Sequence, residues 1–206
     1  MKQWAFYFDQ KYCSGCGTCQ IACKDKNNLK QGQVYRTVKE YAGGSYRQDG
    51  EAIVQDIFAF FLSMSCNHCK KPACVAVCPT KALSKRAADG LVLIDRAKCI
   101  GCKACKVACP YQAMQYDCAA KKAAKCDFCE DLLALNEPPA CVAACPMRAL
   151  KHGALDDLIK IHGKTEQIEG MPAVESTEPA LIIRPHPNAT VLSRANFEGR
   201  FSKNGQ

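Results

Sequence analysis

CIGCKACKVACP (99–110) carries four cysteines spaced C-x2-C-x2-C-x3-C, with a proline directly after the last. That spacing suits a tight loop whose first three thiolates wrap one iron–sulfur cube, while the fourth sits a helical turn further on and reaches the other cluster of a pair. Pro110 pre-sets the backbone there and contributes no N–H. Moving outward, Cys13, Cys16, Cys19 and Cys23 repeat the same spacing. Cys66, Cys69, Cys74 and Cys78 form C-x2-C-x4-C-x3-C before Pro79, and Cys126, Cys129, Cys141 and Cys145 form C-x2-C-x11-C-x3-C before Pro146. Of the 17 cysteines only Cys118 falls outside these quartets. Each quartet closes on one local repeat, CQIAC, CVAVC, CKVAC and CVAAC, and three continue into CPTKAL, CPYQAM and CPMRAL. One ligand-bearing unit has therefore been duplicated within the chain. Small residues before the final cysteine (Ala22, Ala108, Ala144) let the backbone approach a cluster closely.

Three chemistries compete for such cysteines. Disulfides belong to small secreted domains that cannot build a core, whereas 206 residues with 48% hydrophobic content can. Zinc favours two C-x2-C knuckles well apart in sequence, a pattern only the fourth quartet approaches. Cubane clusters fit the spacing of all four, and no quartet lacks a ligand, so the expectation is four [4Fe–4S] clusters.

The chain has 28 Lys+Arg against 20 Asp+Glu, a formal +8. A cube with four thiolates carries about −2, so four of them would offset that charge almost completely. Lys70, Lys71, Lys98, Lys103, Lys106, Lys121, Lys122 and Lys125 lie close to ligands and read as counter-charges. No basic stripe interleaved with aromatics points to nucleic acid. No run of 18 apolar residues is present to span a membrane, and the first cysteine, at position 13, leaves no room for a signal peptide's apolar region.

Residues 3–9, with Trp4, Phe6 and Phe8, predict a strand leading into the first ligand loop. VYRTVKEY and IVQDIFAFFLSMS predict strands on either side of the turn-rich AGGSYRQDGE. LSKR and GLVLID predict a hairpin, and ALDDLIKIHGK (154–164) an amphipathic helix ending at Gly163. From about 166 the composition turns to Pro, Glu, Ser and Asn, with a strand-like ALIIRP at 180–185 and aromatics at Phe197 and Phe201. A tail with so little core of its own is either disordered or an arm laid on a partner, and its apolar segment and aromatics favour the arm. The fold class expected is α+β: two bacterial-ferredoxin-like modules, each for two [4Fe–4S] clusters, with a β insertion and an extended C-terminal arm. The cluster domain takes 1–165, with one module from 1–23 and 119–153, the other from 63–118, and the insertion at 24–62; the arm takes 166–206. Quartets one and four pair, as do two and three, because the middle two make a unit of ordinary ferredoxin length.

CSGCGTCQIACKDKNNL, EYAGG, FLSMSCNHC, PACVAVCP, CIGCKACKVACPYQAMQYD, KCDFC and CPMRALKHG together resemble the four-cluster iron–sulfur subunits of complex iron–sulfur molybdoenzymes, in particular the B subunits of anaerobic dimethyl sulfoxide reductases. The resemblance spans about residues 3–187 and fades beyond 188. It implies that Cys13, Cys16, Cys19 and Cys145 hold a first cluster, and Cys126, Cys129, Cys141 and Cys23 a second. It further implies that Cys66, Cys69, Cys74 and Cys109 hold a third, and Cys99, Cys102, Cys105 and Cys78 a fourth. Relatives of nitrate-reductase type carry Trp in the third quartet and bind a 3Fe cluster; Cys102 stands against that variant here. The resemblance also implies a three-subunit complex with a molybdopterin catalytic subunit and a quinol-oxidising membrane anchor. The chain would then lie peripherally at the cytoplasmic membrane, on the periplasmic face if exported with a twin-arginine partner and otherwise in the cytoplasm.

The function expected is non-catalytic electron transfer, needing no acid, base or nucleophile of the chain's own. A chain of this length has a radius of gyration of roughly 17 Å, too far across for one tunnelling step, so several clusters divide the distance. Two other readings stay open: a relay for a formate dehydrogenase, hydrogenase or different reductase, and a zinc-stapled interaction scaffold. His68, inside a complete quartet, reads as a neighbour of the cluster or a surface group, and His152, His162 and His186 as surface residues. Cys118 reads as a buried or idle thiol, Tyr111 and Tyr116 as core, and Met64, Met114 and Met147 as packing around the clusters.

Overall fold

The computed structural model describes residues 2–164, 168, 171–172 and 174–190. Its strands and helices run in chain order as β1 (Trp4–Asp9), α1 (Thr18–Lys26), β2 (Thr37–Gly43), β3 (Tyr46–Asp49), β4 (Ala52–Gln55), β5 (Phe58–Met64), α2 (Ala73–Ala76), β6 (Leu83–Lys85), β7 (Val92–Ile94), α3 (Ala104–Ala108), β8 (Gln115–Asp117), β9 (Lys122–Ala124), α4 (Glu130–Ala134), α5 (Ala140–Ala143), β10 (Leu150–Ala154), α6 (Leu155–His162) and β11 (Leu181–Arg184). Ligand loops alternate with short helices and two-stranded ribbons, the α+β mixture the sequence predicts.

β1 is the middle strand of the only three-stranded sheet among the described residues. It pairs antiparallel with β10, Trp4 opposite Ala154, and parallel with β11, Phe6 opposite Leu181. Both its faces are covered, which is why WAFYF departs from strict alternation. Ala5 and Tyr7 pack with Leu155 and Leu158 of α6, while Phe6 and Phe8 join the larger core that contains Cys23, Cys66, Cys126 and Cys141. Helix α6 begins with Asp156 and Asp157 and closes with Lys160 and His162, charges that suit its dipole, before stopping at Gly163 as expected.

The parallel pairing of β11 corrects the expected arm. Leu181, Ile182 and Ile183 are all buried against β1 and its neighbours. Burying three such side chains is worth about 1.5–3 kcal/mol each. Residues 180–184 therefore belong to the body of the cluster domain and are not spare surface for a partner. Phe197 and Phe201 lie outside the described residues.

The insertion also differs in detail from its expectation. β2 pairs with β5, and the turn-rich stretch between them forms its own ribbon of β3 with β4. Gly44, at φ +90, marks the junction: a Cβ there would stand 2.3 Å from the Asp56 carbonyl oxygen. Asp56 holds the join by accepting the Ser45 N–H at 2.6 Å. The long hairpin thus bends in the middle instead of ending in one loop.

Candidate metal centres

All four C-x2-C loops turn in the same way. The residue before the second cysteine is left-handed in each: Gly15 (φ +72), His68 (φ +43), Gly101 (φ +73) and Phe128 (φ +68). A second left-handed residue recurs three positions after the last cysteine of three quartets, at Lys81, Gln112 and Arg148. There its N–H donates to the carbonyl of Cys78, Cys109 or Cys145. The duplicated words of the sequence are thus duplicated backbone turns.

These turns bring the predicted thiols together across quartets. Cys13, Cys16 and Cys19 line one cavity with Cys145, which arrives from the end of α5 as that helix packs on α1. Cys99, Cys102 and Cys105 line another with Cys78, which follows α2 where it meets α3. Of the other eight, Cys23, Cys66, Cys126 and Cys141 are buried in the main core, while Cys74 and Cys109 meet in a smaller one. Burial pushes the Cys23 thiol up to about 12, with Cys141 and Cys129 adding to the rise. Cys126, fully enclosed, is raised well above its ordinary value by burial and then by Cys66, Cys23 and Cys141. Burial likewise lifts Cys74 to about 12 and Cys69 to about 11, and each also feels Cys66 and Cys109. Cys126 and Cys66 come from different predicted sets and share the main core, so the second and third sets adjoin there.

Donors surround the sulfurs. The Thr18 hydroxyl stands 3.3 Å from Cys16 Sγ and draws that exposed thiol's pKa down. Ser63 Oγ lies 3.4 Å from Cys19 Sγ, and Asn27 Nδ2 3.7 Å from Cys23 Sγ. The backbone N–H groups of Ala123 and Phe128 donate to Cys99 and Cys126 at 3.4 and 3.3 Å. Two buried cations accompany them. Lys125 donates to the carbonyls of Val92 and Cys126. Arg36 donates from Nη1 to Ser63 and from Nη2 to Ser65.

The donor set of every group is four thiols with no carboxylate, the soft ligation that iron–sulfur clusters take. Sets of four soft thiolates fit an iron–sulfur cluster.

Other expectations fare unevenly. His68 is buried, its Nδ1 accepting the Val92 N–H at 3.0 Å and its ring standing edge-on to Phe128 at 5.4 Å, so it neighbours the ligands and does not reach the surface. His152, His162 and His186 are half-buried, stacked on Trp4, Tyr7 and Phe60, which corrects their placement on the surface. Cys118 is exposed. Met114 is buried beside Cys74 and Cys105, while Met147 lines the first cavity and is half exposed. Tyr111 is half-buried with its hydroxyl 3.0 Å from Thr177, and Tyr116 lies under the Lys103 ammonium. Arg36 and the two serines escaped the sequence reading: a lone arginine before a strand normally faces water.

Comparison with known proteins agrees with this picture. Residues 57–155 match the 4Fe-4S dicluster domain family, and residues 10–32 a 4Fe-4S binding domain. The sequence is 43% identical over 187 residues to the B subunit of anaerobic dimethyl sulfoxide reductase from Escherichia coli (strain K12), covering 91% of each. It is 36% identical over 196 residues to the B subunit of polysulfide reductase from Wolinella succinogenes, covering 93% of this protein and 99% of that one. It is 38% identical over 160 residues to the thiosulfate reductase electron transfer subunit of Salmonella typhi, covering 75% and 78%.

Proposed function

This chain belongs to the family of anaerobic dimethyl sulfoxide reductase B subunits, and from that premise we propose that it relays electrons from a quinol-oxidising membrane anchor to a molybdopterin catalytic subunit. Four [4Fe–4S] clusters would be held by Cys13, Cys16, Cys19 and Cys145; by Cys23, Cys126, Cys129 and Cys141; by Cys66, Cys69, Cys74 and Cys109; and by Cys78, Cys99, Cys102 and Cys105. When bound, such clusters take up and give back single electrons.

The observation that carries the reading is the exchange of last cysteines: Cys145 shares a cavity with the first quartet and Cys78 with the third. The chain's own residues bury seven of the sixteen thiols, leave only Cys16 and Cys102 exposed, donate hydrogen bonds to several of the sulfurs and set fixed cations beside them. These are the means by which a protein adjusts a cluster's potential. The first and last sets each present an exposed cysteine, Cys16 and Cys102. An exposed apolar side chain lines each cavity, Met147 at one and Ile100 at the other, which suits two docking faces. Among the described residues no helix is long and apolar enough to cross a membrane; the anchor of this reading is a separate subunit.

The test is anaerobic isolation with metal analysis and low-temperature paramagnetic spectra after dithionite. About sixteen iron and sixteen sulfide per chain, with reducible signals, are expected. Colourless protein holding zinc would point instead to an interaction scaffold, and co-purification with a formate dehydrogenase or hydrogenase would move the relay to another complex.

A further inference from the structure

Arg36 is buried, yet its hydrogen-bond partners are neutral. Nη1 donates to Ser63 Oγ at 3.1 Å and to the Ser63 carbonyl at 3.3 Å, and Nη2 to Ser65 Oγ at 2.9 Å. Nε has no acceptor among the described residues. The guanidinium lies over the Phe6 ring at 4.6 Å, and the residue is 2% exposed. A buried cation needs an opposite charge close by, and serines supply none. The Phe6 ring beneath the guanidinium belongs to the core that holds Cys23, Cys126 and Cys141, three thiols of the second ligand set, with Cys19 of the first packed against it. Ser63, which holds Nη1, also touches Cys19 Sγ at 3.4 Å, so the serine bridges cation and ligand.

We propose that Arg36 is a positioning residue whose counter-anions are the first and second clusters together, and that through it the β insertion raises the reduction potentials of those two clusters above what their cysteines alone would give. The inference rests on the reading of these cysteines as cluster ligands. Reduction adds negative charge to a cluster, and a cation fixed nearby in a low-dielectric interior favours that reduced form. Because Arg36 faces both ligand sets, one side chain biases two neighbouring stations in the same direction. Ser63 and Ser65 sit on and just after β5, so docking of the insertion and delivery of the charge are a single event.

The experiment is potentiometric titration, followed by low-temperature paramagnetic resonance, of the anaerobically isolated full chain and of Arg36→Gln and Arg36→Lys, with iron and sulfide measured on each. In Arg36→Gln two of the four reduction steps are expected to become at least about tenfold less favourable, which for one electron is about 59 mV. The other two steps should stay within about twofold, and Arg36→Lys should bring the displaced pair most of the way back. Fully loaded Arg36→Gln with all four steps unchanged overturns the proposal. Should Arg36→Gln fail to load, Arg36→Lys decides: loaded with near-original potentials it supports a role for charge, and loaded with two steps displaced as far as the neutral variant was expected to be, it refutes that role. If neither variant loads, the residue acts in folding alone and the proposal fails. A wild-type chain without iron overturns the cluster reading itself, and that lack tells the two failures apart.

Discussion

Tyr7 shows how one side chain ties the fold to pH. Its hydroxyl donates to Asp9 Oδ2 at 3.0 Å, Arg184 from β11 reaches the same oxygen at 3.3 Å, and His162 stacks on the ring at 3.7 Å. Burial, helped by the Asp9 carboxylate, raises the phenol to about 12 from an ordinary 10.0. A group with its folded pKa raised contributes stability that is fully present below the unfolded pKa and lost as pH climbs to the folded one. Wild-type stability should therefore fall between pH 10 and about 12 through this group, and Tyr7→Phe should flatten that fall. At neutral pH, Tyr7→Phe should cost about 1.5–3 kcal/mol, a hydrogen bond to a charged partner, read by denaturant titration. The cysteines separate at the same scale: Cys118→Ser should leave iron content and spectra unchanged, whereas Cys102→Ser should disturb one cluster's signal. Sequence spacing made the four cysteine-bearing loops legible because the same intervals and the same words recur in each. It left Arg36 and His68 obscure, because what sets their roles is the company they keep across the fold, 27 residues from Arg36 to Ser63 and 24 from His68 to Val92.

The ligand loop is the element that repeats, and its glycines divide by what surrounds them. At Gly101 an added Cβ would stand 2.2 Å from the Lys121 carbonyl oxygen, in the turn joining β8 to β9, and φ is +73. Backbone cannot step aside as a long side chain can, so Gly101→Ala should displace the Cys99–Cys102 loop and cost one cluster, about four iron per chain. Gly17 has φ +73 too, but nothing lies within 4 Å of its Cβ position. Gly17→Ala should therefore retain all its iron at a stability cost of about 1–2 kcal/mol. Equal iron losses in the two variants would mean that strain alone, and not contact with the β8–β9 ribbon, sets the loop. The hairpin of β6 with β7 and helix α6 were legible from local patterns. The left-handed turns at His68, Phe128, Lys81, Gln112 and Arg148 were not, because none is a glycine. Tertiary contacts hold them instead: His68 and Phe128 occupy equivalent turns of two quartets and pack against each other.

Across the whole molecule, charge and connectivity are coupled. The last described strand returns to the first: Leu181, Ile182 and Ile183 complete a sheet whose other face meets the ligand core, so the chain's far end closes over its beginning. Ile183→Asp would place a carboxylate beside Phe8, in a core that also holds Cys23 and Cys141, and should abolish cluster loading while a surface change such as Lys160→Asp does not. The strand was visible in ALIIRP, but its partner was not, since a parallel pairing across 175 residues leaves no local mark; the pair Asp9–Arg184 spans that interval. The same closure explains the unbalanced composition. A chain with a formal +8 is poorly matched to folding around neutral thiols. Around the four proposed clusters of about −2 each it would approach neutrality, and about four added electrons would make it anionic. Loaded protein should accordingly leave a cation exchanger at lower salt than unloaded chain, and dithionite-reduced protein earlier still under anaerobic conditions. If loaded and unloaded forms eluted together, the excess lysines would have to answer to something other than the clusters, such as an acidic face on a partner subunit.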